Sequence, residues 1–180
     1  QLFVRRLDAL EAVPLAGAAG ATNPFFSPDG QWIGFFAGGS LKKIAVSGGS
    51  AVTLASAPSG RGGAWGPDGM IVFQPRGGGS GVLQRVSSGG GAAAPLNATD
   101  SGEVTQRWPQ VLPGGRGILY TSHTGSTNFD DATLVVQPLP GGTRVVIHRG
   151  GYFGRYLPTG HLVYLYKGTL FAKSFDLDRL

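Results

Sequence analysis

Short apolar runs recur along the chain, and the residues between them are mostly Gly, Pro, Asp and Ser. Trp32-Ile33-Gly34-Phe35-Phe36, Met70-Ile71-Val72-Phe73, Ile118-Leu119-Tyr120 and Leu162-Val163-Tyr164 each follow a turn built on proline. The turns are Ser27-Pro28-Asp29-Gly30, Gly66-Pro67-Asp68-Gly69, Leu112-Pro113-Gly114-Gly115 and Leu157-Pro158-Thr159-Gly160. Pro presets φ at the start of such a turn, Asp bonds the backbone two residues on, and Gly supplies a positive φ. Apolar positions alternate instead of recurring at helical spacing, and Gly or Pro interrupts each candidate helical window. A helix over Leu7–Val13 is the one alternative. It is set aside because the later repeats put a strand, a Gly-Gly turn and a second strand at the matching place.

The turn prolines lie 39, 46 and 45 residues apart. A repeat of this length made of short strands predicts an all-β fold, a β-propeller of four-stranded antiparallel blades, with about four blades covered. Residues 1–22 supply the last strands of a preceding blade, near Leu2–Leu7 and Val13. Residues 23–60 form a blade with strands near Pro24–Ser27, Trp32–Phe36, Leu41–Val46 and Ala51–Leu54. Residues 61–106 form the next, near Ala64–Trp65, Ile71–Gln74, Val82–Val86 and Ala93–Leu96. Residues 107–150 follow, near Trp108–Leu112, Ile118–Ser122, Thr133–Leu139 and Arg144–His148. Residues 151–180 give an incomplete blade, near Arg155–Leu157, Leu162–Tyr166 and Thr169–Phe175. All belong to one domain. Blades bury their two apolar faces only by stacking. Phe25, Phe26, Trp32, Phe35, Phe36, Trp65, Phe73, Trp108, Tyr120, Tyr156 and Tyr164 are therefore expected mainly between blades. The strands number seventeen, one more than four full blades need, so an open arc is expected, with its end faces covered by further blades of a parent chain or by self-association.

The 180 residues are enough for one substantial core. There is no cysteine, so disulfides and thiolate metal sites are excluded. The net charge is +5, but the basic residues form no run, and no nucleic-acid partner is expected. No apolar stretch approaches the roughly 20 residues of a membrane helix. The chain opens at Gln1 in mid-pattern and is expected to be part of a longer one.

Candidate chemistry is sparse. Gly89-Gly90-Gly91-Ala92-Ala93-Ala94 fits a dinucleotide fingerprint by letter, but Pro95 follows and no helix can start there, so it reads as a plain turn. His123, His148 and His161 occupy different repeat positions and are not expected to meet. A Ser-His-Asp triad has no Gly-x-Ser-x-Gly elbow behind it. No catalytic residue, cofactor or metal site is assigned. Asn97-Ala98-Thr99 matches a glycosylation sequon that arises often by chance. The longest loop, His123–Ala132, carries Asn128, Asp130 and Asp131, whose spacing fits no calcium loop. Arg61 and Arg107 each lie six residues before their turn proline, which places both near the start of an innermost strand, on the face of that loop. Arg155 lies three before its proline and does not join them by register. The binding face is accordingly assigned to Arg61, Arg107, Trp108, Asn128, Asp130 and Asp131.

The Ser-Pro-Asp-Gly turn with its following strand and Gly-Gly connection resembles the TolB-type, WD40-like (PD40) propeller repeat. Ser27–Gly30 matches fully, Gly66–Gly69 differs at its first residue, and the last two turns have lost the Asp. Longer strings, Asn23–Phe36, Arg107-Trp108-Pro109-Gln110, Phe129-Asp130-Asp131-Ala132 and Tyr156–Tyr164, are similar to the propeller that follows the kinase domain in many bacterial serine/threonine protein kinases. That resemblance implies a sensor or docking region on the extracytoplasmic side of the membrane, binding a protein or small molecule. The kinase signatures Val-Ala-Ile-Lys, His-Arg-Asp and Asp-Phe-Gly do not occur, so no activity is expected of these residues. The alternatives are the non-catalytic propeller of a prolyl-oligopeptidase-like serine peptidase, a TolB-like interaction module, or a propeller that is itself catalytic.

Overall fold

The computed structural model describes residues 1–76, 81–125 and 127–179. Among the described residues there are seventeen strands and no α-helix; single 3₁₀ turns lie at Pro113–Gly115 and Leu177–Arg179. A two-stranded ribbon, β1 (Phe3–Val4) and β2 (Val13–Pro14), comes first. The first blade is β3 (Thr22–Phe26), β4 (Trp32–Ala37), β5 (Ser40–Ala45) and β6 (Val52–Ser56). The second is β7 (Gly63–Trp65), β8 (Met70–Phe73), β9 (Gln84–Ser87) and β10 (Ala94–Pro95). The third is β11 (Thr105–Val111), β12 (Gly117–His123), β13 (Thr133–Pro138) and β14 (Val145–Arg149). The fourth has β15 (Tyr152–Leu157), β16 (His161–Tyr166) and β17 (Thr169–Ser174). Every blade is an antiparallel meander in chain order.

The turn chemistry is as the sequence requires. Ser27 Oγ accepts the Trp32 amide at 2.9 Å and donates to Asp29 Oδ1 at 2.5 Å, and that oxygen also accepts the Gln31 amide at 3.0 Å. Gly30 takes φ 68°. In the second blade Asp68 Oδ1 accepts the Met70 amide at 3.1 Å. The last two turns lack the Asp and close through backbone bonds from Gly115 to Leu112 and from Gly160 to Leu157, both 3.0 Å. Gly90 and Gly91 both have positive φ in the β9–β10 turn, so the Gly-rich run is a strand connection.

Apolar residues collect in one cluster per seam. Phe36, Leu41 and Leu54 meet Ile71, Phe73 and Val86 between the first two blades. Val72 and Leu83 meet Ile118, Tyr120 and Val135 at the next, and Leu119, Leu134 and Val136 meet Leu162 at the third. Fully burying each such side chain contributes about 1.5–3 kcal/mol. Buried amides stitch the inner strands as well. Gln74 Nε2 donates to the carbonyls of Gly81 (2.5 Å) and Gln106 (2.6 Å), and Gln110 exchanges bonds of 3.0 and 2.7 Å with the backbone of Tyr156.

Three expectations need correction. The first strand is short, because Leu7 and Leu10 are almost fully exposed and only Val4 and Leu2 turn inward. Phe26 lies outside the blade seams with 60% of its surface exposed, since it follows Phe25 in an alternating strand and only one can face the neighbouring blade. Trp32 joins none of the seam clusters among the described residues, its ring lying under the Lys43 ammonium of its own blade at 4.7 Å, whereas Trp108 does pack across blades, on Tyr152 and Phe153. The ribbon β1–β2 covers the first blade through Leu2, Val4 and Leu15 on Ile33, Phe35 and Ile44. Among the described residues β17 pairs only with β16, and neither β1 nor β2 completes the fourth blade.

Candidate functional site

Three of the four innermost strands are broken at one equivalent point, and β7 begins just after it. Asn23, Gly62, Trp108 and Phe153 all lie five residues before their turn proline, and all have positive φ: 48°, 99°, 52° and 55°. In β3, β11 and β15 the strand register shifts there, the mark of a bulge. Gly and Asn adopt this conformation at little cost, whereas Trp and Phe do not; a bulky residue held there stores roughly 1–2 kcal/mol. The first two blades use the permissive residues and the last two carry aromatic rings.

The bulges meet. The Trp108 amide donates to the Arg61 carbonyl at 3.0 Å, and a Cβ on Gly62 would sit 2.9 Å from Trp108 Cα, so glycine is what admits the close approach. The Trp108 ring lies 5.7 Å from Phe153, 5.8 Å from Tyr152 and 5.2 Å from Phe129. Arg107 is buried, with 7% exposed, its guanidinium 4.6 Å above Phe129 and its Nε donating to Thr105 at 3.2 Å. Burial, and then the neighbouring charge of Arg61, hold its pKa below the usual arginine range. Arg155 Nη1 donates to the carbonyls of Trp108 (2.8 Å) and Gly154 (2.9 Å), and its guanidinium lies 4.2 Å over Phe153. Burial pushes the Arg155 pKa down to about 10.

Arg61, Arg107 and Trp108 are therefore brought together, and with them Phe129 of the long loop. Asn128, Asp130 and Asp131 lie on the same loop but further out. They line a depression of about 510 Å³ with Arg149, Gly150, Tyr166 and Lys167. Asp130 Oδ1 accepts the Lys167 amide at 2.9 Å and its carbonyl accepts the Gly151 amide at 2.6 Å, so it ties the loop to the fourth blade. Ser126 of that loop lies outside the described residues. Arg155, which register kept apart, reaches the mouth because its long side chain crosses to the third blade. Tyr152 and Phe153 were missed, although the spacing rule that paired Arg61 with Arg107 also selects Tyr152.

Asp131 faces a histidine. His123 Nδ1 accepts the Gly125 amide at 2.9 Å, which places the ring proton on Nε2, and Nε2 donates to Asp131 Oδ1 at 2.8 Å. That bond holds the Asp131 carboxyl below its usual pKa. A depressed native pKa contributes stability that is present above the unfolded value, about 3.9, and is lost as pH falls through the native one. The side-chain carboxyl of Asp131, followed by its carbon chemical shift, should titrate below the ordinary Asp range, and His123→Ala should return it to that range. The same titration in both proteins would contradict the pairing.

No family model and no curated protein matches this chain. Solved structures do. A TolB protein of Agrobacterium tumefaciens superposes with a TM-score of 0.71 at 16% identity over 93% of this chain and 66% of its own. The fold is a β-propeller. A chain of the nidogen–laminin complex aligns with a TM-score of 0.70 at 15% identity, over 87% of this chain and 61% of its own. A puromycin-hydrolysing peptidase of Mycobacterium tuberculosis aligns with a TM-score of 0.60 at 14% identity, over 99% of this chain and 37% of its own. The propeller here thus spans less than two thirds of each of these chains.

Proposed function

We propose that this chain is a non-catalytic propeller binding module whose partner meets the face carrying the 123–132 loop and the Trp108 mouth. One observation carries the reading: two bulky aromatics, Trp108 and Phe153, are held in left-handed conformation at one inner edge, where the other blades use Asn and Gly. Strain of this kind persists at sites that use it. Propeller neighbours that include a TolB protein and a member of the nidogen–laminin complex support an interaction role.

The parent we infer is a bacterial serine/threonine protein kinase, with this propeller as its extracytoplasmic sensor or docking region. Two strings that carry that resemblance, Arg107–Gln110 and Phe129–Ala132, pack on each other through Trp108, Arg107 and Phe129. The second reading, the gating propeller of a serine peptidase, is favoured by the likeness to the puromycin-hydrolysing peptidase. The full reading frame separates them: a kinase domain upstream supports the first, a Gly-x-Ser-x-Gly domain downstream the second.

A photo-cross-linking residue placed in the full-length protein tests the face. Positions 128 and 153 should cross-link a partner, and Arg61→Gln should abolish the product. Arg107→Ala is unsuitable because that side chain is buried. Cross-links from positions 28 and 159, on the proline-turn side, would move the site there.

A further inference from the structure

We propose that the cavity between the second and third blades, on their proline-turn side, holds a small apolar zwitterion, a molecule with the chemistry of free leucine or phenylalanine. The proposal goes beyond the partner face above and does not depend on it.

Space is the first ground. The cavity has a volume of about 360 Å³, and Met70, Val72, Leu96, Val111, Ile118 and Leu139 make most of its wall. All but Met70 belong to the apolar cluster between the two blades, so that seam reaches the surface here without closing. Trp65 and Val111 each stand two residues before their turn proline, and the smaller of the two is the one at this seam. The volume of about 360 Å³ lies at the small end of the roughly 300–1,000 Å³ usual for small-molecule sites. At about 30 Å³ per water it is room for roughly twelve water-sized groups.

Charge is the second. Asp68 and Arg85 are the charged residues in that wall, and both are exposed. Among the described residues neither forms an ion pair, with the other or with a third group. Arg85 lies directly opposite Val72 in the β8–β9 pairing, so both leave the sheet on the face that lines the cavity. A guanidinium offers a planar fork that fits the two oxygens of a carboxylate. An apolar cavity with one acid and one base on its wall, unpaired, fits an apolar body that carries both opposite charges. A ligand with one charge would satisfy one residue and take water from the other.

The turns supply the third. In the first turn the Ser27 hydroxyl and the Gln31 amide both donate to Asp29. Gly66 stands in the place of that serine, and Asp68 keeps one described bond, from the Met70 amide to Oδ1. A Cβ on Gly66 would lie 2.5 Å from that oxygen, so a serine has no room beside Asp68 as it stands. The second carboxylate oxygen carries no described bond and can accept from an ammonium. In the third turn Gly114 takes the Asp position, which leaves the cavity a single acid to balance Arg85.

The test follows the methyl chemical shifts of Met70, Val72 and Ile118 in the purified chain as each probe is added to about ten millimolar. The probes are leucine with its deaminated and decarboxylated analogues, isocaproate and isopentylamine, and phenylalanine with hydrocinnamate and phenethylamine. Leucine or phenylalanine, or both, should shift these methyls saturably. The matching acid and amine should each bind at least about tenfold more weakly, as expected when a charge-assisted hydrogen bond is lost. Arg85→Gln should reduce the amino acid to the affinity of its amine, and Asp68→Asn to that of its acid. The melt should not change in either, because both side chains are exposed and Asn still accepts the Met70 amide. An acid or an amine that binds as tightly as its parent amino acid would overturn the zwitterion. Methyls unmoved by both amino acids at about ten millimolar would overturn the site itself.

Discussion

Gly34→Ala should cost about 3 kcal/mol of stability, close to the upper end for overpacking a core. A Cβ at Gly34 would lie 2.3 Å from Phe25 Cζ, and one at Gly63 2.4 Å from Phe25 Cε1. The Phe25 ring is thus clamped between two glycine backbones, one in its own blade and one in the next. Neither glycine has a left-handed φ, so the effect comes from space alone. Gly63→Ala should behave alike. Phe25→Leu should offset part of the loss in a double mutant, because the clash and its relief share one contact. Chemical denaturation measures all three. An unchanged midpoint for Gly34→Ala would mean that the ring has room the structure does not show.

Glu103→Ala should be as damaging, about 3–5 kcal/mol, because it leaves a partly buried arginine without its partner. The Glu103 side chain is only 3% exposed, and its carboxylate accepts from Arg144 (3.0 Å), Gln106 (2.9 Å) and Ser122 (2.5 Å). Arg144 also donates to Tyr120, whose pKa burial pushes up to about 12, and pairs with Asp100. This network locks the loop before β11 onto the third blade. Replacing Glu103 and Arg144 together by leucine should be milder than Glu103→Ala, since neither charge is then stranded. A single mutant as stable as the wild type would show the pair to be superficial.

The repeat was legible because each turn has its own chemistry. Pro-Asp-Gly fixes a turn locally, so the strands after it fell within a residue or two of their places. The mouth was half legible. Register brought Arg61 and Arg107 to one face because equal repeat positions stay equal around a stack of blades. Arg155 broke the rule because reach, not register, sets where a long side chain ends. The His123–Asp131 pair was invisible for a related reason. Its partners are eight residues apart across a loop whose path no local propensity dictates. Left-handed Trp108 and Phe153 gave no signal, since a backbone conformation that opposes a residue's own preference cannot be read from that preference.

The central claim is that the aromatic bulge serves binding and not the fold. The stability of Phe153→Asn tests it most directly. About three fifths of the Phe153 surface is buried, so truncation forfeits roughly 1–2 kcal/mol of burial. Asn relaxes a left-handed backbone and recovers roughly 1–2 kcal/mol. Chemical denaturation should therefore find the variant within about 1 kcal/mol of the wild type. A loss of more than about 3 kcal/mol, in the range for a core aromatic, would make Phe153 a structural anchor and contradict the account.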